Sequence, residues 1–169
     1  YNGALLMRVD NDLKPKVIQC DIHGANGLAF SADQRWMYTS DTPNAVIYRT
    51  PLDEQGEPGR REVFRRFQPG EGIPDGAAID VEGCYWSAMF DGWRIARFSP
   101  QGEELETYPM PVRCPTMVCF GGADMKTLYI TTTRENMEDD ELAKYPLSGA
   151  IFTLPVAVAG MKKLPFRER

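Results

Sequence analysis

The sequence has few of the residues from which the commoner catalytic and metal centres are built. It contains one histidine, His23, and no serine in a Gly-x-Ser-x-Gly context, so a serine-hydrolase triad is not supported. The four cysteines lack the spacing of zinc or thioredoxin-like sites and form no histidine-cysteine cluster: Cys20, Cys84, Cys114 and Cys119. Since nothing in this pattern requires disulfides, a reducing cytoplasm is the predicted location.

Excess positive charge and long apolar runs are also missing. The formal net charge is −5, which disfavours nucleic acid as a partner, because phosphate-binding faces are usually basic. There is no apolar run of about eighteen residues and no charged-then-apolar leader, so no membrane partner is expected. The chain begins at Tyr1 rather than at a methionine, and a leader ahead of that residue is left open.

The most informative feature present is a repeat. Three similar segments begin at Asn26, Asp75 and Thr116, so successive copies start 49 and 41 residues apart. Each contains short apolar strands separated by Gly, Pro, Asp and Asn, which is typical of the four-stranded blades of a β-propeller. With 43% hydrophobic residues and no linker-like change in composition, residues 1–169 are predicted to form a single all-β domain.

The repeat also predicts how that domain is divided. Trp36, Trp86 and Leu128 are expected on the second strands of successive blades, and Phe30, Ile79 and Phe120 on the first. An acidic stretch over 134–145 is the one segment expected to become helical. The predicted parts are the end of a blade at 1–20, blades at 26–67, 75–108 and 116–154, an insertion at 134–147, and a tail at 155–169.

The phase of the repeat groups three polar residues. The strands that begin each blade line the central channel of a propeller, so Asn26, Asp75 and Thr116 are expected around one axis. The first two offer the hard oxygen ligands that divalent cations such as Ca²⁺ prefer, whereas Thr116 offers at most a hydroxyl. Taken singly, Asn-Gly and Asp-Gly are also common turn dipeptides, and that interpretation stays open. His23 is expected to form local hydrogen bonds in the loop before Asn26.

Several motifs occur in an order that resembles one known family. They are Asn26-Gly-Leu-Ala-Phe-Ser-Ala-Asp33, Glu71-Gly-Ile-Pro-Asp-Gly76, Cys114-Pro-Thr followed by Phe120-Gly-Gly, and Leu128-Tyr-Ile-Thr-Thr-Thr-Arg134. In this order they resemble the SMP-30/gluconolactonase/LRE-like family, to which regucalcin and the bacterial sugar lactonases belong. The likeness extends over essentially the whole chain and corresponds to the C-terminal half of a family member.

The resemblance implies a fold, an activity and a site. The fold is about three four-stranded blades of a six-bladed β-propeller, and the activity is metal-dependent hydrolysis of sugar lactones. One divalent ion (Ca²⁺, Zn²⁺, Mg²⁺ or Mn²⁺) would be held by Asn26 and Asp75, with Asp75 also as the catalytic base. The family's third ligand, a glutamate, has no counterpart here, and the substrate-binding residues stay unknown.

Two further expectations follow from the partial propeller. Its open flanks require a cover, either the missing N-terminal half or another chain. A non-catalytic propeller that binds a ligand or a protein is the alternative function, because a fold does not determine an activity.

Overall fold

A computed structural model describes residues 3–162. These residues contain β-strands, a 3₁₀ turn at Thr42–Asn44 and a short α-helix, α1, at Asp139–Lys144, so the all-β class is confirmed and the helix lies in the acidic stretch as predicted. Among them, no helix has the length and apolar character needed to cross a membrane. The strands are β1 Ala4–Val9, β2 Pro15–Ile22, β3 Ala25–Phe30, β4 Trp36–Asp41, β5 Val46–Pro51, β6 Glu62–Arg66, β7 Ile73–Ile79, β8 Tyr85–Phe90, β9 Arg94–Phe98, β10 Glu104–Pro109, β11 Pro115–Gly121, β12 Thr127–Thr132 and β13 Ile151–Pro155.

Four antiparallel sheets follow one another along the chain. They are the two-stranded β1–β2 sheet, the four-stranded β3–β6 and β7–β10 sheets, and the three-stranded β11–β13 sheet. In the last three sheets the strands lie side by side in sequence order, starting from the inner strands β3, β7 and β11. Strand β7 contacts both β3 and β11, which places the three inner strands next to one another. The sheets form an open arc rather than a closed ring.

Two apolar clusters hold neighbouring sheets together. Adjacent residues of β8 point to opposite faces, so Tyr85 packs against the β3–β6 sheet and Trp86 against the β11–β13 sheet. The ring of Tyr85 lies 5.4 Å from that of Tyr38, and the ring of Trp86 lies 5.5 Å from that of Phe120. Burying a large apolar side chain stabilises a fold by about 1.5–3 kcal/mol. The middle blade is therefore held from both sides.

The apolar residues predicted to occupy equivalent positions lie on the expected strands. Trp36, Trp86 and Leu128 are on β4, β8 and β12, the second strands of their sheets. On the first strands, Ile79 and Phe120 are buried, whereas Phe30 is 46% exposed. Phe30 lies on β3, the inner strand next to the two-stranded β1–β2 sheet.

The third repeat departs from the prediction of four strands, since the β11–β13 sheet has three within residues 3–162. After Pro155 the chain crosses the turns of two blades instead of pairing with the edge of β13. The amide of Val156 donates to the carbonyl of Lys126, and the amide of Met161 donates to that of Ile79. Because residues 156–162 form their hydrogen bonds there, this part of the tail adds no fourth strand. Positions 163–169 of the predicted tail lie outside the described residues.

Both ends of the arc expose apolar side chains. At one end, Leu5, Met7 and Val9 alternate along β1, and Met7 is 53% exposed. At the other end, Ile151 of β13 is 70% exposed. The β7–β10 sheet, in contrast, has a neighbouring sheet on each side. The partial propeller therefore has an exposed apolar flank at each end, as predicted. That the missing N-terminal half or another chain covers these flanks stays a prediction.

Candidate active site at the mouth of the inner strands

The three polar residues in repeat phase lie at one end of the inner strands. Asn26 is the second residue of β3, Asp75 the third of β7 and Thr116 the second of β11. Each inner strand has an irregular register with its neighbour at this point: between Asn26 and Ala29, between Pro74 and Ala77, and between Pro115 and Met117. Such bulges redirect side chains and are frequent beside functional sites. We call this end of the strands the channel mouth.

The Asn-Gly and Asp-Gly pairs lie within strands, where glycine allows two backbones to approach closely. A Cβ atom on Gly27 would stand 3.0 Å from the carbonyl oxygen of Asp75 and 2.3 Å from the hydroxyl of Tyr85, and its φ is +58°. A Cβ on Gly76 would stand 2.7 Å from the carbonyl oxygen of Thr116. The turn interpretation of both pairs is therefore wrong, and the glycines keep the three inner strands in contact.

A chain of hydrogen bonds orients the side chain of Asn26. The Thr42 hydroxyl donates its hydrogen to the carbonyl of Pro74 over 2.8 Å, so it can only accept from Asn26, whose Nδ2 lies 2.9 Å away. The amide nitrogen is thereby used, and Oδ1 is turned away from Thr42. Thr42 thus links Asn26 to the residue that precedes Asp75, a role that the sequence pattern did not reveal.

Asp75 carries a half-buried carboxylate. Its backbone carbonyl accepts a hydrogen bond from the Ser40 hydroxyl over 3.0 Å. Burial, and secondarily the negative charge of Glu135, raises the pKa of the Asp75 carboxyl to about 6. A nearby cation would favour the charged form and compete with the proton. A perturbed carboxyl at the channel mouth makes Asp75 a candidate functional residue.

Neither Thr116 nor His23 adds a charged ligand. The Thr116 hydroxyl lies 2.8 Å from that of Thr131, with which it shares a hydrogen bond. The His23 side chain is 66% exposed, and its Nδ1 lies 2.9 Å from the Asn44 amide nitrogen. Buried Asp41 anchors this loop by accepting the amides of His23 and Gly24. His23 therefore forms local hydrogen bonds within its loop, as the sequence predicted.

Two open spaces adjoin the inner strands. A cavity of about 350 Å³ is lined by Asn26, Gly27 and Gly76, together with Thr39, whose buried hydroxyl has no hydrogen-bond partner among the described residues. A larger groove of about 1420 Å³ touches Phe30 and neither Asn26 nor Asp75. The smaller cavity borders Asn26 but is not lined by Asp75, and the larger groove follows the opposite ends of the strands.

The donor set fits part of a divalent-cation site. An amide oxygen and a carboxylate are hard ligands of the kind that Ca²⁺, Mg²⁺ and Mn²⁺ prefer. Residues 3–162 contain no group of three or more His, Cys, Asp or Glu side chains that could complete such a site. A further ligand would therefore have to come from outside these residues.

The sequence profile of the SMP-30/Gluconolactonase/LRE-like region matches residues 1–134. The chain belongs to this family. Among its relatives, 6-deoxy-6-sulfogluconolactonase from Pseudomonas putida is 54% identical over 160 residues, which cover 94% of this chain and 55% of the relative. Regucalcin from Danio rerio is 40% identical over 147 residues, which cover 85% of this chain and 49% of that protein.

Solved structures agree with this family membership. A calcium-binding regucalcin from Agrobacterium tumefaciens matches with a TM-score of 0.92 and 30% identity, covering 99% of this chain and 57% of that protein. The chain therefore spans about half the length of these relatives and corresponds to their C-terminal half. The predicted family and the propeller-type fold are confirmed.

Proposed function

We propose that this chain supplies the C-terminal half of a divalent-metal-dependent lactonase that opens sugar lactones. The observation that carries the proposal is the half-buried Asp75 carboxyl, with its raised pKa, on the strand next to the oriented amide of Asn26. The family is one of lactonases, and the Pseudomonas putida relative is named for a sulfonated gluconolactone. A polyhydroxylated lactone is therefore the substrate class.

Asn26 and Asp75 are the residues that would hold the ion, with the remaining ligand contributed from outside the chain. Ca²⁺, Zn²⁺, Mg²⁺ and Mn²⁺ are the candidates, and the relative described as calcium-binding makes Ca²⁺ the first to test. When bound, such an ion supplies Lewis-acid polarisation of the lactone carbonyl. Because Asn26 is neutral, it leaves the positive charge of the site available to an oxyanion.

Asp75 is assigned the proton transfer. Its carboxylate accepts a proton from the attacking water, whose oxygen forms the new bond to the carbonyl carbon. The ring carbon–oxygen bond then breaks, and the released oxygen takes up a proton to become a hydroxyl group of the aldonic acid. Burial raises the pKa of the Asp75 carboxyl to about 6 when no ion is bound, which strengthens it as a base, whereas a bound cation would lower that pKa again.

The experiment requires both halves of a propeller. We define the completed protein as a fusion in which the N-terminal half of the Pseudomonas putida relative precedes residues 1–169. We expect it to hydrolyse glucono-1,5-lactone above the spontaneous rate, to lose that activity when chelation removes bound metal, and to regain it when Ca²⁺ or another candidate ion is returned. The measurement is acid release at constant pH, with metal content determined in parallel.

Two outcomes would contradict the proposal. Full activity in protein that elemental analysis finds free of metal would remove the metal from the mechanism. Lactone binding without hydrolysis, in protein loaded with metal, would favour the alternative of a ligand-binding module.

We also propose a cytoplasmic location. All four cysteines are free thiols in the structure, which is what a reducing compartment maintains.

A further inference from the structure

The 3₁₀ turn after β4 is fastened to the loop that leads into β3. The amide of Thr42 donates to the carbonyl of Gly24 over 3.1 Å, and the buried carboxylate of Asp41 accepts the amide of Gly24 over 3.1 Å. A Cβ atom on Gly24 would stand 2.6 Å from the ring of Pro43, so the two segments are in close contact. These contacts fix the turn relative to the start of β3, the strand that carries Asn26.

Two hydroxyl groups join the end of β4 to β7 across the boundary between two blades. Ser40 donates to the carbonyl of Asp75 over 3.0 Å, and Thr42 donates to the carbonyl of Pro74 over 2.8 Å. The two acceptors are consecutive and lie in the part of β7 whose register with β8 is irregular, between Pro74 and Ala77. Since a bulge interrupts the regular ladder of a sheet, donors from outside the sheet help to hold its shape. The segment that carries Asp75 is therefore held by the preceding blade.

A third hydroxyl group holds β3 in return. The buried Tyr85 of β8 donates to the carbonyl of Gly27, the residue after Asn26, over 2.8 Å. Glycine permits this approach, because a Cβ atom on Gly27 would also stand 2.6 Å from the Ser40 hydroxyl oxygen. Each of the strands that carry Asn26 and Asp75 is thus fastened by a hydroxyl group of the other blade.

Thr42 differs from the other two hydroxyl residues because it contacts a proposed ligand side chain. Its Oγ1 accepts a hydrogen bond from Asn26 Nδ2 over 2.9 Å, while its own hydrogen is used on the carbonyl of Pro74. Turning the Asn26 amide by half a revolution would set Oδ1 against this oxygen, and two acceptors would then face each other. The hydrogen bond therefore selects the orientation in which Oδ1, the atom that can bind a cation, is left free of Thr42.

We propose that Thr42 is the positioning residue of the divalent-metal site, which directs Asn26 Oδ1 toward the ion and ties this ligand to the strand of Asp75. The inference rests on the proposed function, since the ion is that of the lactonase. It assigns no catalytic step to Thr42. Residues that hydrogen-bond to metal ligands typically contribute about 10–100-fold to metal affinity, which sets the size of the expected effect.

The test measures the Ca²⁺ affinity of the completed protein. Bound metal is first removed by chelation, and Ca²⁺ is then titrated to millimolar concentration in a calorimeter. Thr42→Val removes the hydroxyl group and keeps the shape of the side chain, so we expect it to raise the Kd for Ca²⁺ by about tenfold. Thr42→Ser restores the hydroxyl group and should keep the Kd within about threefold of its original value.

Thr132 provides the matched control. It is the last residue of β12, and its hydroxyl group donates to the carbonyl of Ala150 over 2.7 Å. Thr132→Val therefore removes a hydroxyl group that also binds a backbone carbonyl at the end of the second strand of its sheet. Because that bond holds the connection to β13 and not a proposed ligand, the Kd for Ca²⁺ should change by less than about twofold.

Two further measurements separate positioning from a general effect on the fold. In protein that carries Asn26→Ala, the addition of Thr42→Val should raise the Kd by less than about twofold, because the side chain that Thr42 orients is absent. Crystal structures of the completed protein with and without Ca²⁺ should show the same Asn26 orientation and the same contact with Thr42, because the hydrogen bond holds the amide before an ion arrives.

Several results would overturn the inference. They are an unchanged Kd in Thr42→Val, an equal rise in Thr132→Val, and a tenfold effect of Thr42→Val that persists without the Asn26 side chain. If Thr42→Val does not fold, the crystal structures decide, and an Asn26 amide turned away from Thr42 in either of them overturns the inference.

Failure of the proposed function is distinguishable from these results. A completed protein that binds none of the four candidate ions would overturn the metal-dependent function and this inference with it. Ca²⁺ binding that does not depend on the Thr42 hydroxyl group would overturn only the inference.

Discussion

Replacing Asp75 with alanine in the completed protein is expected to lower kcat/KM for glucono-1,5-lactone by about 10²–10⁴-fold, the range typical of a lost general base. The expected loss is large because the substitution removes the proposed base and the one charged metal ligand of this chain together. Asp75→Asn should be nearly as inactive, since the amide keeps the shape but accepts no proton. The measurement is the initial rate of acid release with added metal, corrected for spontaneous hydrolysis.

His23→Ala is the matched control for that result. His23 lies at the same end of the strands, but its described contacts are local, to Asn44 and Asp41. We expect its kcat/KM to stay within about threefold of the original, since only an exposed hydrogen bond is lost. An inactive His23 variant beside an active Asp75 variant would replace the metal-hydrolase assignment with a histidine-based mechanism.

The second large effect is expected on stability. Asp80 is fully buried, and its carboxylate accepts hydrogen bonds from the Trp86 indole, the Arg97 guanidinium and the amide of Cys84, each over 2.9 Å. Asp80→Ala should lower the free energy of unfolding by about 3–5 kcal/mol, because it leaves the buried Trp86 indole and Cys84 amide without an acceptor. It also removes one of the three carboxylate partners of Arg97, which keeps Glu82 and Glu106. Urea unfolding of the completed protein, followed by circular dichroism, measures this change.

An equivalent turn in the next blade provides the comparison. Asp124 accepts the amide of Lys126 over 3.0 Å in an exposed turn. Asp124→Ala should therefore cost about 0.5–1.5 kcal/mol, the ordinary contribution of a hydrogen bond. If both variants lost a similar free energy of unfolding, the burial of Asp80 would not increase its contribution to stability. A loss below about 1 kcal/mol in Asp80→Ala would contradict the account of the core.

Much of the fold could be predicted from the repeat. Alternating apolar residues bounded by turn dipeptides located most strands of the two four-stranded sheets, and the common phase placed Asn26 and Asp75 on neighbouring inner strands. Both are local signals that a sequence carries directly. The three-stranded last sheet could not be predicted in this way, because it depends on where the amides of the tail find carbonyl partners.

The details of the site depend on contacts between distant segments. The bulges at the channel mouth are properties of strand pairs, and the order of residues within one strand does not reveal them. The Asp41-Thr-Pro-Asn44 turn signalled a loop but not that Thr42 would orient Asn26.

The central claim is that Asn26 and Asp75 bind one divalent ion at the channel mouth. A crystal structure of the completed protein grown with Ca²⁺ tests it most directly, with the ion identified by its anomalous scattering. The account predicts an ion about 2.3–2.6 Å from Asn26 Oδ1 and from an Asp75 carboxylate oxygen. Side-chain oxygens of these residues separated by more than about 6 Å, with no ion between them in protein that hydrolyses lactones, would contradict it, since no single cation could then bind both.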